Sequence, residues 1–405
     1  MISHEQLTHV ANTFGTPTYV YDKNIMIRQY DLLEDHISYS PKQIKYACKA
    51  NSNLAILKVF RDLGCGVDVV SAGELFLALK AGFSPEKILF TGNNLAEWEM
   101  EYAASHDISM TLDSLSQLET YGRINPHSRV FIRINPNLGA GHHKHVITGG
   151  LQSKFGIYHT QIHDAQKIAA RSNLIIGGVH MHIGSGILDP DLLIHGVSSL
   201  LESASHFPHL EFVDIGGGLG IPYESENNPL DTEVFGEKLS TLFTSWVTSY
   251  GSPVTLVLEP GRFLVAQSGI LLTRVTAIKS NPKYIFIGLD TGFNHFMRPI
   301  LYNAYHEITV VGCHDTALAP VTVCGNICES GDIFAKNRLL PPIREGDLLA
   351  IHDVGAYGFS MASTYNARGL PAEVLVDGDQ FILIRKRDDF QDLLFNQVYE
   401  VYGDE

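Results

Sequence analysis

The chain has 405 residues, of which 45% are hydrophobic and 18% are charged, and its formal net charge is −15. This composition excludes a disordered chain, and the negative charge argues against binding to nucleic acid or to anionic membranes. No apolar run approaches the ~20 residues of a transmembrane helix, and the N-terminus lacks the features of a signal peptide. The five cysteines are sparse and odd in number, so we expect a reducing, cytoplasmic location without disulfides.

Short β-branched runs alternate with amphipathic helical segments up to about residue 270. The predicted strands of this part are residues 44–47, 67–70, 88–90, 109–112, 130–134, 178–181, 212–215 and 255–258. A strand–helix alternation of this length favours a (β/α)₈ TIM-type barrel, with a doubly wound open sheet as the alternative. Within it, Ser71 and Glu74 have the spacing of a capping box, and Asp189-Pro190 predicts the start of another helix.

Beyond about residue 270 the pattern becomes strand-rich. The strands predicted here are residues 270–278, 284–289, 308–311, 321–324, 348–351, 373–376 and 381–385. The dipeptide Asp377-Gly378 between the last two is typical of a hairpin turn. Residues 18–21 also predict a strand that has no place in the barrel. We therefore expect a separate antiparallel β domain that this N-terminal strand joins.

Charged side chains follow the first and last predicted barrel strands, and barrel enzymes carry their catalytic residues at such strand ends. Lys49 ends the first strand and would point into the barrel mouth, where an amine that loses its proton can form a Schiff base. The alternative for Lys49 is a solvated surface charge. Glu259 ends the eighth strand, and its alternative role is a salt bridge to the neighbouring Arg262.

Glycines follow the seventh strand, at Gly216-Gly217-Gly218, and barrels frequently bind phosphate at this position. Gly184-Ser185-Gly186 offers further donors, and a tight turn is the alternative. A dinucleotide fingerprint is excluded because position 221 is isoleucine. The lysine, the phosphate cradle and the carboxylate together suggest pyridoxal phosphate, with Glu259 beside the pyridine nitrogen and His182 against the ring.

Two groups of histidines raise the question of a metal site. His180-Met-His182 resembles the HxH pair of amidohydrolase-type enzymes, but those carry it on the first strand and add metal ligands from later strands. The cluster of His142, His143 and His145 has no acidic or thiolate ligand at a useful spacing, so it predicts a solvated polar loop. We therefore expect no metal site.

A series of segments carries a family resemblance. They are YACKANSN (46–53), VDVVSAGEL (67–75), SKFGI (153–157), HMHIGSG (180–186), GGGLGIPY (216–223), EPGRFLVAQSG (259–269), RPILY (298–302), CESGD (328–332), GAYG (355–358) and RKR (385–387). In these motifs and their order the chain resembles the diaminopimelate decarboxylases, within the alanine-racemase-like and ornithine-decarboxylase-like pyridoxal enzymes. The resemblance spans most of the chain and is highly specific.

The resemblance implies a fold and a set of cofactor contacts. The pyridoxal-phosphate-binding barrel would cover residues 25–267, and residues 1–24 with 268–405 would form the β-rich domain. Lys49 would hold the cofactor covalently, and His182 would stack on its ring. The remaining contacts to the cofactor are implied for Ser185, Gly216, Gly217, Gly218, Glu259, Gly261, Arg262 and Tyr357.

Substrate contacts are implied as well. Arg262, Arg298 and Tyr302, together with Tyr357, would bind the substrate. Cys328 and Glu329 would reach into the active site of a partner subunit in a homodimer. There Cys328 would lie near the chemistry, and Glu329 would bind the distal amino group of the substrate.

The implied activity is pyridoxal-phosphate-dependent decarboxylation of meso-2,6-diaminopimelate to L-lysine and CO₂, the last step of lysine biosynthesis. Arginine forks match carboxylates, and a glutamate matches a distal ammonium. The nearest alternative is a decarboxylase of ornithine, arginine or carboxynorspermidine, against which Arg298 and Glu329 argue. A second alternative is an inactive regulatory homologue, against which the complete set of Lys49, Glu259 and Cys328 argues.

Overall fold

The computed structural model of the protein describes residues 2–137, 150, 153–313 and 315–398. The histidine cluster at residues 142, 143 and 145 lies outside the described residues. The chain divides into two compact units. The barrel unit comprises the described residues of 23–267 and 355–360, and the sheet unit comprises those of 1–22, 268–354 and 361–405.

Helix α1 (His4–Phe14) and strand β1 (Thr18–Asp22) open the sheet unit. The helix begins with a complete capping box. Oγ of Ser3 accepts a hydrogen bond from the Gln6 backbone N–H at 3.2 Å, and Oε1 of Gln6 accepts one from the Ser3 N–H at 2.9 Å. These two bonds satisfy donors that would otherwise be left open at the first turn.

The barrel unit is built on a ring of parallel strands. They are β2 (Lys42–Ala47), β3 (Gly66–Val69), β4 (Ile88–Phe90), β5 (Ser109–Leu112), β6 (Arg129–Asn135), β8 (Ile175–His180), β9 (Phe212–Asp214) and β10 (Thr255–Leu258), and the two-residue β7 (Ile157–Tyr158) pairs in parallel with the end of β6. The pairing of β5 with β6 and of β10 with β2 closes the ring. The predicted TIM-type barrel is confirmed, and the open-sheet alternative is wrong.

One helix precedes the barrel strands, and the other helices of this unit follow them. They are α2 (Lys23–His36), α3 (Leu54–Asp62), α4 (Ala72–Ala81), α5 (Glu97–Ala104), α6 (Leu115–Ile124), α7 (Ile162–Arg171), α8 (Pro190–Ala204), α9 (Thr232–Tyr250) and the short α10 (Arg262–Val265). Asp189 caps α8 as predicted. The capping box of α4 is only half formed, because Oε2 of Glu74 accepts from the Val70 N–H rather than from Ser71. Within the described part of the chain, no helix is both long and apolar enough to cross a bilayer.

The remaining elements belong to the sheet unit. They are β11 (Gly269–Ser280), β12 (Ile285–Leu289), α11 (Arg298–Tyr302), β13 (Ile308–Val310), β14 (Ala319–Cys324), β15 (Ile333–Leu340), β16 (Leu348–Ile351), β17 (Ala372–Asp377) and β18 (Gln380–Arg385). The strand order is β15-β14-β12-β11-β1-β17-β18, with β16 also on β11 and β13 on β16. The predicted hairpin turn is confirmed, with Gly378 at φ 60°.

The sheet is mixed rather than purely antiparallel. The N-terminal strand β1 pairs antiparallel with β11 but parallel with β17, and β12 and β14 are also parallel. Strand β15 was not predicted, because Lys336, Asn337 and Arg338 interrupt its apolar pattern. One face of the sheet is covered by α1, whose Leu7 and Val10 belong to the same buried cluster as Val20 and Leu272. The chain ends and the middle of the chain therefore share one core.

Candidate active site

The carboxyl ends of the barrel strands surround a small cavity. Its lining includes Ala47 and Lys49 after β2, His182 and Ser185 after β8, Gly218 after β9, Glu259, Gly261 and Arg262 after β10, and Tyr357. All of these residues belong to the barrel unit. Parallel strands in a closed ring end at the same rim, so side chains far apart in sequence meet there.

Lys49 is paired with a carboxylate that the sequence did not single out as a site residue. Its Nζ atom lies 2.9 Å from Oδ2 of Asp68, which is completely buried on β3. Thr91 donates a second hydrogen bond to Oδ1 of Asp68. Burial disfavours the charged amine, but the Asp68 carboxylate together with other groups, among them Glu259, outweighs this effect and raises the pKa of Lys49 above its ordinary value. Lys49 is therefore held as an ammonium in the absence of a bound molecule.

Glu259 is fully enclosed beneath the cavity. Its Oε2 atom lies 3.0 Å from Nε2 of His180, and its Oε1 atom has no hydrogen-bond partner among the described residues. Burial alone would raise the pKa of Glu259, but the contact with His180 lowers it to about 2. Glu259 is thus a carboxylate, and its Oε1 atom can still accept a hydrogen bond. Its predicted alternative, a salt bridge to Arg262, is not found among the described ion pairs.

Asp214, at the end of β9, is the third member of this buried group. Atoms of His180, Asp214 and Glu259 lie within 4.8 Å of one another. Burial and the nearby Glu259 charge raise the pKa of Asp214 well above its ordinary value. Two carboxyl groups this close inside a protein cannot both ionise, so Asp214 carries the proton and Glu259 the charge. Neither His180 nor Asp214 was predicted to act here.

His182 presents a neutral imidazole to the cavity. Burial, followed by the charges of Arg133 and Lys49, lowers the pKa of His182 well below its ordinary value. Its Nδ1 atom accepts a hydrogen bond from the Gly217 N–H at 3.2 Å, which places the ring proton on Nε2. This bond fixes the orientation of the ring. A neutral, fixed and flat ring is suited to stacking on another aromatic ring.

The glycine run after β9 is required by close packing of the backbone. Gly216 and Gly218 have φ values of 69° and 98°, which favour glycine. A Cβ atom on Gly216 would collide with the Met181 carbonyl, and one on Gly217 with the Glu259 carbonyl. The run therefore brings bare backbone to the rim of the cavity, beside the Ser185 hydroxyl.

Arg262 is buried, with 4% of its surface exposed, and it organises the polar side of the cavity. Its Nε and Nη2 atoms donate to Oγ of Ser185 at 3.2 and 2.9 Å, and Nη1 donates to the Tyr223 hydroxyl at 2.8 Å. The guanidinium carbon lies 4.9 Å from the centre of the Tyr357 ring. Tyr357 itself has a left-handed backbone, φ 57°, and its N–H donates to the Ala50 carbonyl. The cavity therefore has one cationic side rich in hydroxyl groups.

Four of the predicted site residues lie in the sheet unit. Arg298 begins α11 and is 1% exposed, and its Nε donates to Nε2 of His306 at 3.3 Å. Its guanidinium carbon lies 5.8 Å from the centre of the Tyr302 ring. Cys328 and Glu329 are exposed residues of the turn between β14 and β15. The structure thus brings Arg298 and Tyr302 together, and it places Cys328 and Glu329 side by side on a separate turn.

Known proteins resemble the chain along nearly its whole length. The family model described as the pyridoxal binding domain of pyridoxal-dependent decarboxylases matches residues 24–266. The fold and the lysine-bearing cavity thus define a barrel-type pyridoxal-dependent decarboxylase, and its cofactor is pyridoxal phosphate. A diaminopimelate decarboxylase of Methanothermobacter thermautotrophicus is 43% identical over 98% of this chain and 95% of its own. The chain belongs to the diaminopimelate decarboxylase family.

Two further relatives agree with this assignment. The diaminopimelate decarboxylase of Escherichia coli K12 is 37% identical over 97% of this chain and 96% of its own. The crystal structure of the Helicobacter pylori diaminopimelate decarboxylase, complexed with L-lysine, superposes with a TM-score of 0.90 at 35% identity and covers 96% of this chain and 98% of that one. The full-length agreement extends the family assignment to both units of the chain.

The groups around the cavity fit pyridoxal phosphate. Lys49 offers a primary amine to an aldehyde. The free Oε1 atom of Glu259 would gain a partner from a protonated ring nitrogen. The Ser185 hydroxyl and the backbone N–H of Gly218 offer donors to a phosphate group, next to the positive charge of Arg262. The chemistry of each donor therefore matches one part of the cofactor.

Proposed function

We propose that this protein removes one carboxyl group from meso-2,6-diaminopimelate and releases L-lysine and CO₂. The observation that carries the proposal is the pairing of Lys49 with the buried Asp68 in a cavity that also contains Glu259, His182 and Arg262. Family membership directs the choice of substrate. The product is lysine, so the reaction completes a lysine-forming route.

Each barrel residue has a separate task in this proposal. Lys49 holds the cofactor covalently, His182 stacks on its ring, and Glu259 accepts a hydrogen bond from the ring nitrogen. Ser185, the glycines 216–218, Arg262 and Tyr357 hold its phosphate side. When bound, pyridoxal phosphate supplies an electron-withdrawing ring that accommodates the electron pair left behind by CO₂. The low pKa of Glu259, about 2, suits this role because a permanent carboxylate keeps the ring nitrogen protonated.

In this proposal, residues of the sheet unit recognise the distal end of the substrate. The distal end of diaminopimelate carries both a carboxylate and an ammonium. Arg298 and Tyr302 bind the carboxylate, since a guanidinium matches its two oxygens. Glu329 binds the ammonium. Holding the distal end limits rotation of the bond that is to break, which lowers the entropic cost of reaching the reactive geometry.

The proposal includes a homodimer with two shared active sites. Cys328 of the partner subunit supplies the proton that replaces CO₂, and Glu329 of the partner subunit recognises the substrate. A two-fold interface is self-complementary, so each dimer would contain two such sites.

The five free cysteines are consistent with a cytoplasmic location.

The test compares CO₂ release from meso-, L,L- and D,D-diaminopimelate, ornithine and arginine. We expect release from the meso isomer far above the others. Borohydride reduction of the cofactor-loaded protein should fix the cofactor on Lys49, as read by peptide mapping. Release from ornithine or arginine instead would favour the diamine-type alternative. A protein that takes up no cofactor and releases no CO₂ would favour the regulatory alternative.

A further inference from the structure

The turn that carries Cys328 and Glu329 is held by a second segment of the sheet unit, residues 365–368. The Cys328 N–H and Sγ lie 3.2 and 3.1 Å from Oδ1 of Asn366. The Tyr365 hydroxyl donates to Oε1 of Glu329 at 2.6 Å. Nη2 of Arg368 donates to the Asn326 carbonyl at 2.9 Å. Asn366 therefore contacts Cys328, and its neighbour Tyr365 contacts Glu329. Cys328 and Glu329 are the residues of this turn that have a role in the proposed reaction.

The contact with Asn366 determines where the hydrogen of the Cys328 thiol points. A backbone N–H can only donate, so the amide atom that faces Cys328 is the oxygen and not the nitrogen. The sulfur lies against the same oxygen. A thiol can donate its hydrogen there, whereas a thiolate would meet the oxygen's lone pairs. The geometry thus gives the thiol hydrogen of Cys328 an acceptor and sets the direction of its S–H bond.

The contact with Tyr365 fixes the Glu329 carboxylate in the same way. The Tyr365 ring stacks on Phe293, with ring centres 5.8 Å apart and planes 27° from parallel, so one face of the ring is supported. The hydrogen bond and charge of Glu329 raise the pKa of Tyr365, which keeps the hydroxyl a donor. A neutral donor leaves the charge of Glu329 intact for a substrate ammonium while restricting its rotamers.

The backbone of the segment is built for these contacts. Asn366 and Ala367 are both left-handed, with φ values of 58° and 54°. Asparagine tolerates this region better than most residues, and alanine does not favour it. Two such residues in sequence are an uncommon arrangement, and they turn the Asn366 side chain towards Cys328.

We propose that Asn366 and Tyr365 are positioning residues, Asn366 for the proton on Cys328 and Tyr365 for the carboxylate of Glu329. The proposal rests on the proposed function, in which Cys328 gives its proton to the substrate carbon and becomes a thiolate. In that step the S–H bond breaks, a C–H bond forms with the electron pair left by CO₂, and solvent later restores the proton. Asn366 sets the starting state of this step, and Tyr365 sets substrate affinity.

Alkylation of Cys328 by iodoacetamide at neutral pH tests the Asn366 half on the cofactor-loaded protein. The thiolate attacks the reagent and expels iodide, so the rate reports the thiolate fraction. Asn366→Gly keeps the left-handed backbone without the amide, and we expect Cys328, followed by peptide mass, to react roughly three- to tenfold faster. Asn366→Asp keeps the shape and adds a negative charge, so its rate should fall below that of the wild type.

Steady-state kinetics with meso-diaminopimelate tests the Tyr365 half. Tyr365→Phe keeps the ring on Phe293 and removes only the hydroxyl. We expect KM to rise by about tenfold, kcat to stay within about twofold, and the alkylation rate to remain that of the wild type. Asn366→Gly should change the other kinetic constant: kcat should fall, and KM should stay at the wild-type value.

The outcomes separate this proposal from the proposed function. Alkylation uses no substrate, so it still decides the role of Asn366 if the wild type releases no CO₂ from diaminopimelate. That result would refute the proposed function and, with it, the role of Tyr365 in substrate affinity. An unchanged alkylation rate in Asn366→Gly, or a faster one in Asn366→Asp, overturns the role of Asn366. An unchanged KM in Tyr365→Phe overturns the role of Tyr365.

Discussion

The Nζ atom of Lys49 and the Oδ2 atom of Asp68 are 2.9 Å apart, where Lys49 follows β2 and Asp68 lies on the neighbouring strand β3. The carboxylate is fully buried, while 37% of the lysine side chain is exposed. The ion pair therefore has one fixed partner and one that can turn to the solvent side. This arrangement holds the Lys49 amine as an ammonium, and it allows the side chain to move towards an aldehyde that enters the cavity.

Replacing Asp68 should accelerate cofactor capture. In Asp68→Asn the charge that raises the pKa of Lys49 is gone, so more of the amine is neutral at neutral pH and able to attack an aldehyde. We expect the cofactor-free variant to bind pyridoxal phosphate covalently about tenfold faster, as measured by stopped-flow absorbance. The control is Asp62→Asn, because Asp62 is 66% exposed and paired with Arg61. A slower or unchanged rate in Asp68→Asn would contradict the assignment.

Asp214 should tolerate an amide but not an alanine. A protonated carboxyl and a carboxamide are both uncharged beside Glu259, and both keep the acceptor for the Gly216 N–H, which lies 2.8 Å from Oδ1. We expect Asp214→Asn to lie within about 1 kcal/mol of the wild type in free energy of unfolding, and Asp214→Ala to lose about 2 kcal/mol more. Urea denaturation of the cofactor-free protein measures both. Equal losses in the two variants would contradict a neutral Asp214 that accepts the Gly216 N–H.

Arg298→Ala should weaken substrate binding and leave the cofactor in place. Loss of a charged hydrogen-bonding partner costs on the order of 2–5 kcal/mol, so KM should rise strongly. Arg298→Lys keeps the charge without the fork and should recover part of the loss. Arg344→Ala, at an exposed arginine of the same unit, is the control. Wild-type kinetics in Arg298→Ala would make Arg298 a purely structural residue.

Mixing Lys49→Ala with Cys328→Ala should restore activity if active sites are shared. Random exchange makes about half of the dimers mixed, and each mixed dimer has one intact site, so activity should reach roughly a quarter of wild type. Tagging one variant verifies the exchange, and each variant alone must be nearly inactive. Activity that stays at the parental level after verified exchange would place both residues in one chain.

Glu74→Gln should stabilise the protein more at high pH than at low pH. Burial raises the pKa of Glu74 to about 7, above the value of about 4.3 in an unfolded chain. The folded state therefore binds the proton more tightly, and wild-type stability falls, relative to the variant, as the pH rises from about 4 to about 7. Urea midpoints of both proteins at about pH 5 and about pH 8 measure this change. A difference between the two proteins that does not vary with pH would contradict the shift.

The sequence by itself determined the alternation of strands and helices, and this alternation favoured the barrel over an open sheet. It also placed Lys49, Glu259 and the glycines 216–218 at strand ends, because the period of a strand and the conformational needs of glycine are local properties. The hairpin at Gly378 was predictable for the same reason. Local patterns therefore identified which residues would reach the rim of the barrel.

Only the tertiary structure decided which of these residues meet. The pairing of Lys49 with Asp68 depends on the register of β2 against β3. The group of His180, Asp214 and Glu259 forms because barrel closure brings the ends of three strands together. Strand β15 escaped prediction because its pairing with β14 overrides a polar stretch of sequence. Tertiary packing creates the hydrogen bonds between distant segments, and these bonds set the charge states of the groups involved. A single sequence has no local pattern that predicts them.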